Sequence, residues 1–480
     1  MYDHVYDIVE REQKTLIFGG TRGGIEELAV QLRDIAEDRK APNIFHVHHG
    51  MIAAPLRESA EDAMRDPDQR ACTLATLTLE LGIDIGALDQ VLQVNATSSV
   101  SSFVQRLGRS GRRAGRPARM FFYTIEKHVE DDASLGRRIP WDLLQTIATI
   151  QLYVEEHWVE PPHIPQLPLS LLYHQTMSTV AAANELTPAQ LAEAVLTLSP
   201  FQHVTLDQYR ELLRHLVAID HLQQTETNTL IIGMAGERVV NSYWFYATFQ
   251  DDVAYQVREG SREIGYVQGE LQENALIRLA GYVWKVLRVE TDQRLIFVER
   301  SKGRADNVWT GGEREVHGRI LNRIRKVLSE DAEYGYLQDR AVKRLREARR
   351  LARDTGMLER DILPIGGDHY MLLPWADSRV FSTLQLLLDG ALSPSEIVLP
   401  YYMEVKSTRG LPPQTRLAQI AAHYPSALEL AEKLSIFSVF VNKFDRFIPV
   451  SLLRAAIAAD VLDLEGAKAV IERWMHTPLS

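Results

Sequence analysis

Gln105-Arg-Leu-Gly-Arg-Ser-Gly-Arg112 places three arginines and two glycines within eight residues. Gly108 and Gly111 let the backbone turn tightly and bring Arg109 and Arg112 near one point. Two guanidinium forks converging there suit a phosphoryl group whose charge grows in a transition state. Taken alone, the stretch reads equally as a solvated basic loop. What lies upstream decides between the two readings.

Ala75-Thr-Leu-Thr-Leu-Glu-Leu-Gly-Ile-Asp-Ile85 precedes it, and before that come His48-His-Gly50 and Thr15-Leu-Ile-Phe-Gly-Gly-Thr-Arg22. In this order and spacing the four elements resemble the second RecA-like domain of superfamily 2 helicases, where they correspond to motif IV, the segment after it, motif V and motif VI. The resemblance covers about the first quarter of the chain. His-His-Gly followed by Leu-Glu-Leu-Gly-Ile-Asp-Ile-Gly is most similar to the large helicase-related (Lhr) group.

The sequence contains no G-x-x-x-x-G-K-[ST] phosphate loop and no Asp-Glu-x-His or Asp-Glu-x-Asp box. Those elements cradle the triphosphate and hold Mg²⁺ in P-loop NTPases. The expectation is therefore a C-terminal part of a helicase that supplies one wall of an ATP cleft. A fragment of a longer chain and a natural subunit both fit. In either case ATP and Mg²⁺ are shared with a first RecA-like domain carried by another segment or protein, and ATPase or helicase activity needs that domain.

A hydrophobic content of 45% with 24% charged residues is that of a soluble globular protein of several domains. The net charge of −11 does not advertise nucleic-acid binding. Motor proteins, however, concentrate basic residues in a channel while the outside stays acidic. A single cysteine, Cys72, excludes an internal disulfide and a cysteine-built zinc site, and its apolar surroundings suggest a buried thiol. With neither a signal peptide nor a transmembrane stretch in view, the expected compartment is cytoplasmic and no membrane is involved.

The expected fold is α/β. A RecA-like parallel-sheet domain over 1–127 is followed by a helical connector and winged helix over 128–240. A small β-barrel-like domain over 241–318 and an α+β C-terminal domain over 319–480 complete it. Apolar strands are expected at Lys14–Phe18, Asn43–Val47, Arg70–Ala75, Gln90–Val94 and Arg119–Tyr123, with a helix over Ile25–Glu37. Thr187-Pro-Ala-Gln and Thr205-Leu-Asp-Gln carry helix-start signals, and Asn228–Ile232 suits a small strand. Short aromatic and β-branched runs at Tyr243–Tyr246, Ile264–Val267, Ala275–Leu279, Val283–Val286 and Leu295–Val298 suggest a small antiparallel sheet or barrel. Ser378–Leu388 reads as a helix.

The resemblance implies roles for individual residues. Arg109 and Arg112 match arginine fingers, and arginine suits that work because it stays charged and donates two bonds at once. Gln105 would sense the nucleotide. Asp84, after Gly82, would reach the nucleotide sugar or the motif VI arginines. An ordinary aspartate at a strand-to-loop turn is the alternative. Thr21, Arg22, Thr76 and Thr78 follow strands, where the resemblance sets them against phosphates of a single strand. Simple loop capping is the competing reading. Trp309, in Trp309-Thr-Gly-Gly, suits stacking on a nucleobase, or folds onto its own domain. His48 and His49 are adjacent at a strand end without a supporting cluster, so a metal site is rejected.

Two functions remain open. One is the distal part of an ATP-dependent, 3′-to-5′ Lhr-type helicase acting on single-stranded DNA or RNA. The other is a non-catalytic nucleic-acid-binding or scaffolding subunit with a motor-like fold.

Overall fold

The structure is a computed structural model. It describes residues 1–80, 84–111, 115, 117–126, 133–248, 254–268, 271–291, 293–302, 315–407 and 411–477. The chain divides into two compact units, one of residues 1–160 and 252–358 and one of residues 161–251 and 359–480. These units cut across the four segments expected from the sequence: residues 128–160 and 319–358 join the first unit, and residues 241–251 join the second.

In the first unit, helix α1 (Tyr2–Val9) leads into β1 (Lys14–Phe18), α2 (Arg22–Asp38), β2 (Phe45–His48), α3 (Ala54–Arg65) and β3 (Ala71–Ala75). Then come β4 (Gln90–Val94), α4 (Val100–Leu107), β5 (Met120–Tyr123), a short α5 (Leu135–Arg138) and α6 (Trp141–Glu156). The strands form one parallel sheet in the order β2-β3-β1-β4-β5. Every residue of β1 and β3 is buried, which is why those strands read as continuous runs rather than alternating ones. Even Lys14 is buried, its ammonium donating to the carbonyls of Ala63 and Gln69, both at 2.5 Å.

In the second unit, α7 (Leu169–Ala183), α8 (Pro188–Leu196) and α9 (Leu206–Ala218) precede a hairpin of β6 (Leu222–Gln224) and β7 (Leu230–Ile232), then α10 (Met234–Val240). Thr187 with Gln190 and Thr205 with Gln208 form full capping boxes, so both expected helix starts are present.

The first unit resumes with β8 (Ala254–Glu259), β9 (Arg262–Gln268), β10 (Leu276–Leu279), β11 (Tyr282–Glu290) and β12 (Leu295–Ser301), followed by α11 (Gly318–Ser329) and α12 (Asp339–Thr355). The sheet order is β10-β11-β12-β8-β9, and its β12–β8 pair is parallel, so the sheet is mixed rather than wholly antiparallel. Trp284 lies in its core, its indole donating to the Leu279 carbonyl at 2.8 Å.

One expected strand is a helical turn. Tyr243–Tyr246 is 3₁₀ and lies in the second unit, because the Ser242 hydroxyl accepts the Trp244 N–H at 3.1 Å and closes the turn. Only Phe245 of the four is buried. Helices α11 and α12, expected with the C-terminal region, belong to the first unit, where the apolar face of α11 (Ile320, Ile324, Val327) is buried.

The second unit closes with β13 (Ile362–Gly366), β14 (His369–Leu372), α13 (Ser378–Leu388), β15 (Ser393–Val398) and β16 (Tyr402–Lys406), then α14 (Pro413–Ala422), α15 (Ala427–Glu432), α16 (Val450–Ala456) and α17 (Leu464–Met475). Its sheet runs β13-β14-β16-β15. Among the described residues no helix is long and apolar enough to cross a membrane.

Candidate functional site

The parallel sheet brings the carboxyl ends of β1, β3 and β4 to one edge, the place where open α/β sheets bind ligands. The Gly19 amide donates to the Ala75 carbonyl at 3.1 Å and ties two of those ends together. Four sequence-predicted residues lie just beyond them, and their surroundings differ. Thr21 caps α2, its hydroxyl accepting from the Gly24 amide at 3.1 Å. Arg22 opens the helix half-buried, and no hydrogen bond or ion pair engages its guanidinium among the described residues. Thr76 follows β3 half-buried and makes no side-chain cap. The Thr78 hydroxyl donates to the His48 carbonyl at 3.0 Å and contacts His48 Nδ1 at 2.8 Å, which binds the turn after β3 to the end of β2.

The centre of the arrangement is a residue the sequence reading did not single out. Glu80 is buried, and its Oε2 accepts from Arg106 Nε at 2.9 Å and Nη2 at 2.7 Å. Its Oε1 accepts from the Ser102 hydroxyl at 2.8 Å. Its main-chain carbonyl accepts from Arg109 Nε at 3.1 Å and Nη2 at 2.6 Å. The third arm of Arg106, Nη1, reaches Gln93 Oε1 at 2.5 Å, and the guanidinium lies 4.8 Å from the Phe18 ring centroid. One glutamate thus fixes both described arginines of Gln105–Gly111 to the segment after β3. Arg109 is 7% exposed, so its charge is pre-oriented rather than waving in solvent.

Helix α4 gives these arginines their direction. Ser99 caps it, its hydroxyl accepting the Ser102 amide at 3.0 Å. Gln105 sits half-buried on α4, donating to Ser101 Oγ at 3.4 Å. Gly111 has φ of +74°, and a Cβ there would lie 2.5 Å from the Ala118 nitrogen, so glycine is required at this turn. Asp84 is exposed. Its Oδ1 accepts the Gly86 amide at 3.0 Å, a local turn closed by the aspartate itself, and its carbonyl accepts from Arg65 Nε at 2.9 Å. Gly82, Arg112 and Trp309 lie outside the described residues.

His48 and His49 are structural. His48 Nε2 contacts Glu61 at 3.1 Å, and burial holds the ring below the usual histidine range. His49 Nδ1 accepts the Met51 amide at 3.2 Å, which leaves the proton on Nε2 facing Glu26 Oε1 at 2.9 Å. Glu26 and His49 are fully buried. Glu26 also accepts the Ala280 amide at 2.8 Å and the Gly281 amide. Arg33 donates back to the carbonyls of Ala280 and Gly281 at 2.7 and 2.6 Å, with its charge 3.8 Å from the Tyr282 ring centroid. The β10–β11 turn is therefore clasped by α2, and Tyr266 adds a bond to the Met51 carbonyl at 2.7 Å. Among the described residues no group of three or more His, Cys, Asp or Glu side chains is placed to hold a metal ion.

The arginine-rich stretch from Arg319 to Arg353 is largely engaged. Arg319 pairs with Glu156, buried Arg323 with Glu155, Arg344 with Glu126, and Arg353 with Asp331. Much of the stretch is thus the internal fastening of α6, α11 and α12.

Comparison with known proteins bears on this geometry. Residues 1–114 match the helicase conserved C-terminal domain family. The chain is 24% identical over 327 residues to the ATP-dependent helicase Lhr-Core of Sulfolobus acidocaldarius, covering 64% of this chain and 35% of that protein. It is 34% identical over 113 residues to the Lhr-Core helicase of Methanothermobacter thermautotrophicus, covering 24% of this chain and 13% of that protein. The structure of Mycobacterium smegmatis helicase Lhr bound to ssDNA and AMP-PNP superposes with a TM-score of 0.64 at 19% identity, covering 98% of this chain and 64% of that one. The chain spans about a third or less of the length of these two curated relatives.

Proposed function

We propose that the chain is part of a superfamily 2 helicase of the Lhr type and supplies the second half of an ATP-driven, 3′-to-5′ nucleic-acid translocase of the cytoplasm. The observation that carries this reading is the fixing of Arg109 on the Glu80 carbonyl, beside the Arg106–Glu80 pair. A cation held in place before the reaction stabilises developing phosphoryl charge without paying reorganisation. Arg109 and Arg112 are assigned as the fingers, with Gln105, Gly82 and Asp84 facing the nucleotide. Asp84 fits because its carboxylate is exposed and accepts from sugar hydroxyls or guanidinium groups.

ATP with Mg²⁺, when bound, supplies the phosphoryl group whose cleavage drives the cycle. A first RecA-like domain contributes the triphosphate cradle and the magnesium ligands. Thr21, Arg22 and Thr76 are assigned to the phosphates of the strand, with Trp309 stacking on a base. Arg22 suits this role best, because its guanidinium is not otherwise engaged among the described residues. Thr78 suits it least, since its hydroxyl is already committed to His48. The three helices and hairpin of α7–β7 suit a winged helix. Single-stranded DNA is the assigned strand, with RNA as the alternative substrate.

The test is reconstitution. The chain is mixed with a first RecA-like domain from an Lhr-type helicase, and ATP hydrolysis is followed with and without oligo-dT. Strand-stimulated turnover in the mixture and none in either part supports the reading. Robust turnover by this chain alone would overturn the assignment of the triphosphate cradle to another domain, and a mixture that binds DNA without hydrolysis would return the chain to a binding or scaffolding subunit.

A further inference from the structure

Helix α12 places Arg346, Arg349 and Arg353 at i, i+3 and i+7, so all three lie on one face. That face and the loop before α12 enclose a cavity of about 130 Å³, lined by these three arginines together with Asp331, Glu333 and Tyr334. Liquid water occupies about 30 Å³ per molecule, so the space has room for a tetrahedral oxyanion.

The members differ in how they are held. Arg349 is 4% exposed. Its Nε donates to the Val327 carbonyl at 2.9 Å and its Nη1 to the Ala332 carbonyl at 2.8 Å. Its Nη2 is buried and has no hydrogen-bond partner among the described residues. A charged N–H left unmatched in a buried position costs free energy that an incoming acceptor would recover. Among the described residues Arg346 and Arg353 are held by surface pairs with Glu333 and with Asp331, carboxylates that line the same cavity. Those carboxylates are 71% and 83% exposed, and ion pairs so open to water are weak enough to be displaced.

We propose that this cavity is a phosphate seat. Arg349 supplies the fixed buried donor, and Arg346 and Arg353 leave their exposed partners to close on the anion. Arginine forks match phosphate oxygens in pairs, which lysine does not. The seat lies on α12 without Arg109 in its lining, and the inference does not rest on the ATP reading. The phosphate would come either from a nucleic-acid backbone or from a free small anion.

The full chain is tested with two probes: inorganic phosphate, by ³¹P NMR line broadening, and fluorescent oligo-dT, by anisotropy across a salt series. Arg346→Gln/Arg353→Gln removes the two exposed arms and spares Arg349, which the fold uses. Lys343→Gln/Arg350→Gln removes the same charge from exposed positions of the same helix that do not line the cavity.

Binding of at least one probe should weaken at least about tenfold in the first variant, the loss of one charged hydrogen bond, and hold in the second. If the source is a backbone, oligo-dT responds and its salt slope falls by about 0.7, one single-strand phosphate fewer. A free anion source is read when only inorganic phosphate responds. Equal weakening in both variants would mean diffuse charge, and no response to either probe would mean a closed structural cluster. Either result overturns the proposal. Thermal unfolding confirms that both variants are folded.

Discussion

Arg106 and Glu80 form a buried ion pair in which Nε and Nη2 of the arginine share one carboxylate oxygen, at 2.9 and 2.7 Å. The arginine is 1% exposed and the glutamate 7%. The pair joins α4 to the turn after β3, so the two loops that carry the site's arginines and threonines are positioned together. Its role is positional, because both charges are spent on each other, on Ser102 and on Gln93.

Arg106→Met should therefore destabilise the first unit sharply. Removing one partner of a buried pair leaves the other uncompensated, at a cost of about 3–5 kcal/mol. Adding Glu80→Leu to the same chain should recover part of that loss, since an apolar pair of similar volume is tolerated. Urea unfolding of the two variants measures both numbers. A single-variant loss under about 1 kcal/mol would mean that water reaches Glu80 and that the pair is a surface contact.

Gly281→Ala should open the clasp between α2 and the β10–β11 turn. Gly281 has φ of +72°, and a Cβ there would stand 2.6 Å from Arg33 Nη1 and 3.0 Å from Val47 Cγ2. A non-glycine residue in that backbone region costs on the order of 1–3 kcal/mol before any clash is counted. Hydrogen exchange at the Ala280 and Gly281 amides, both donors to Glu26, should rise together in the variant. Unchanged protection there would show that the turn is held by the sheet alone.

The strands were legible because burial on both faces writes itself into composition. Gln90–Val94 and Lys14–Phe18 are expected and observed with the same ends, and so is the helix Ser378–Leu388. Ser99, a cap residue just before Val100, was a visible start signal for α4 that the sequence reading did not use. Glu26 could not be read at all. Its partners Ala280 and Gly281 are 254 and 255 positions away, and nothing local distinguishes it from its exposed neighbour Glu27. Tyr243–Tyr246 failed for the opposite reason: aromatic composition argued strand, while the Ser242 cap closed a 3₁₀ turn. Glu80 stood inside a quoted motif, but its hub role depends on Arg106, 26 positions on.

Stability should rise with pH between about 4 and 6.5 through His46. Burial first, then the charges of Arg33 and Lys14, push this ring down to about 4 from an ordinary 6.5. Its neutral form is favoured in the folded state, so within that window the unfolded chain binds more protons. Stability is then fully present above the unfolded value and is lost as pH falls toward the folded one. The full effect is at most about 3 kcal/mol. Comparing urea midpoints at pH 7 and pH 4.5 for the wild type and His46→Gln isolates this part, because the variant should lose less on acidification. Identical losses in both would assign the acid sensitivity to other groups, His48 among them.

Arg109 carries the sharpest functional prediction. In the reconstituted motor, Arg109→Ala should lower kcat by about 10³-fold, the scale of other arginine fingers, with much less change in nucleotide affinity. The structure adds a complication that the experiment must separate, because Arg109 also fastens the Glu80 carbonyl. Arg109→Lys resolves it. Lysine keeps the charge but cannot give two parallel bonds to one carbonyl, so a finger held in place by that contact should lose most of its kcat in this variant too. A role that needs only positive charge would leave Arg109→Lys near wild type. Thermal unfolding of each variant, without the partner domain, supplies the remaining control. A drop in kcat that simply tracks a drop in Tm across Arg109→Ala, Arg109→Lys and Arg106→Met would make Arg109 a fastening of the loop and not a group that meets the phosphate.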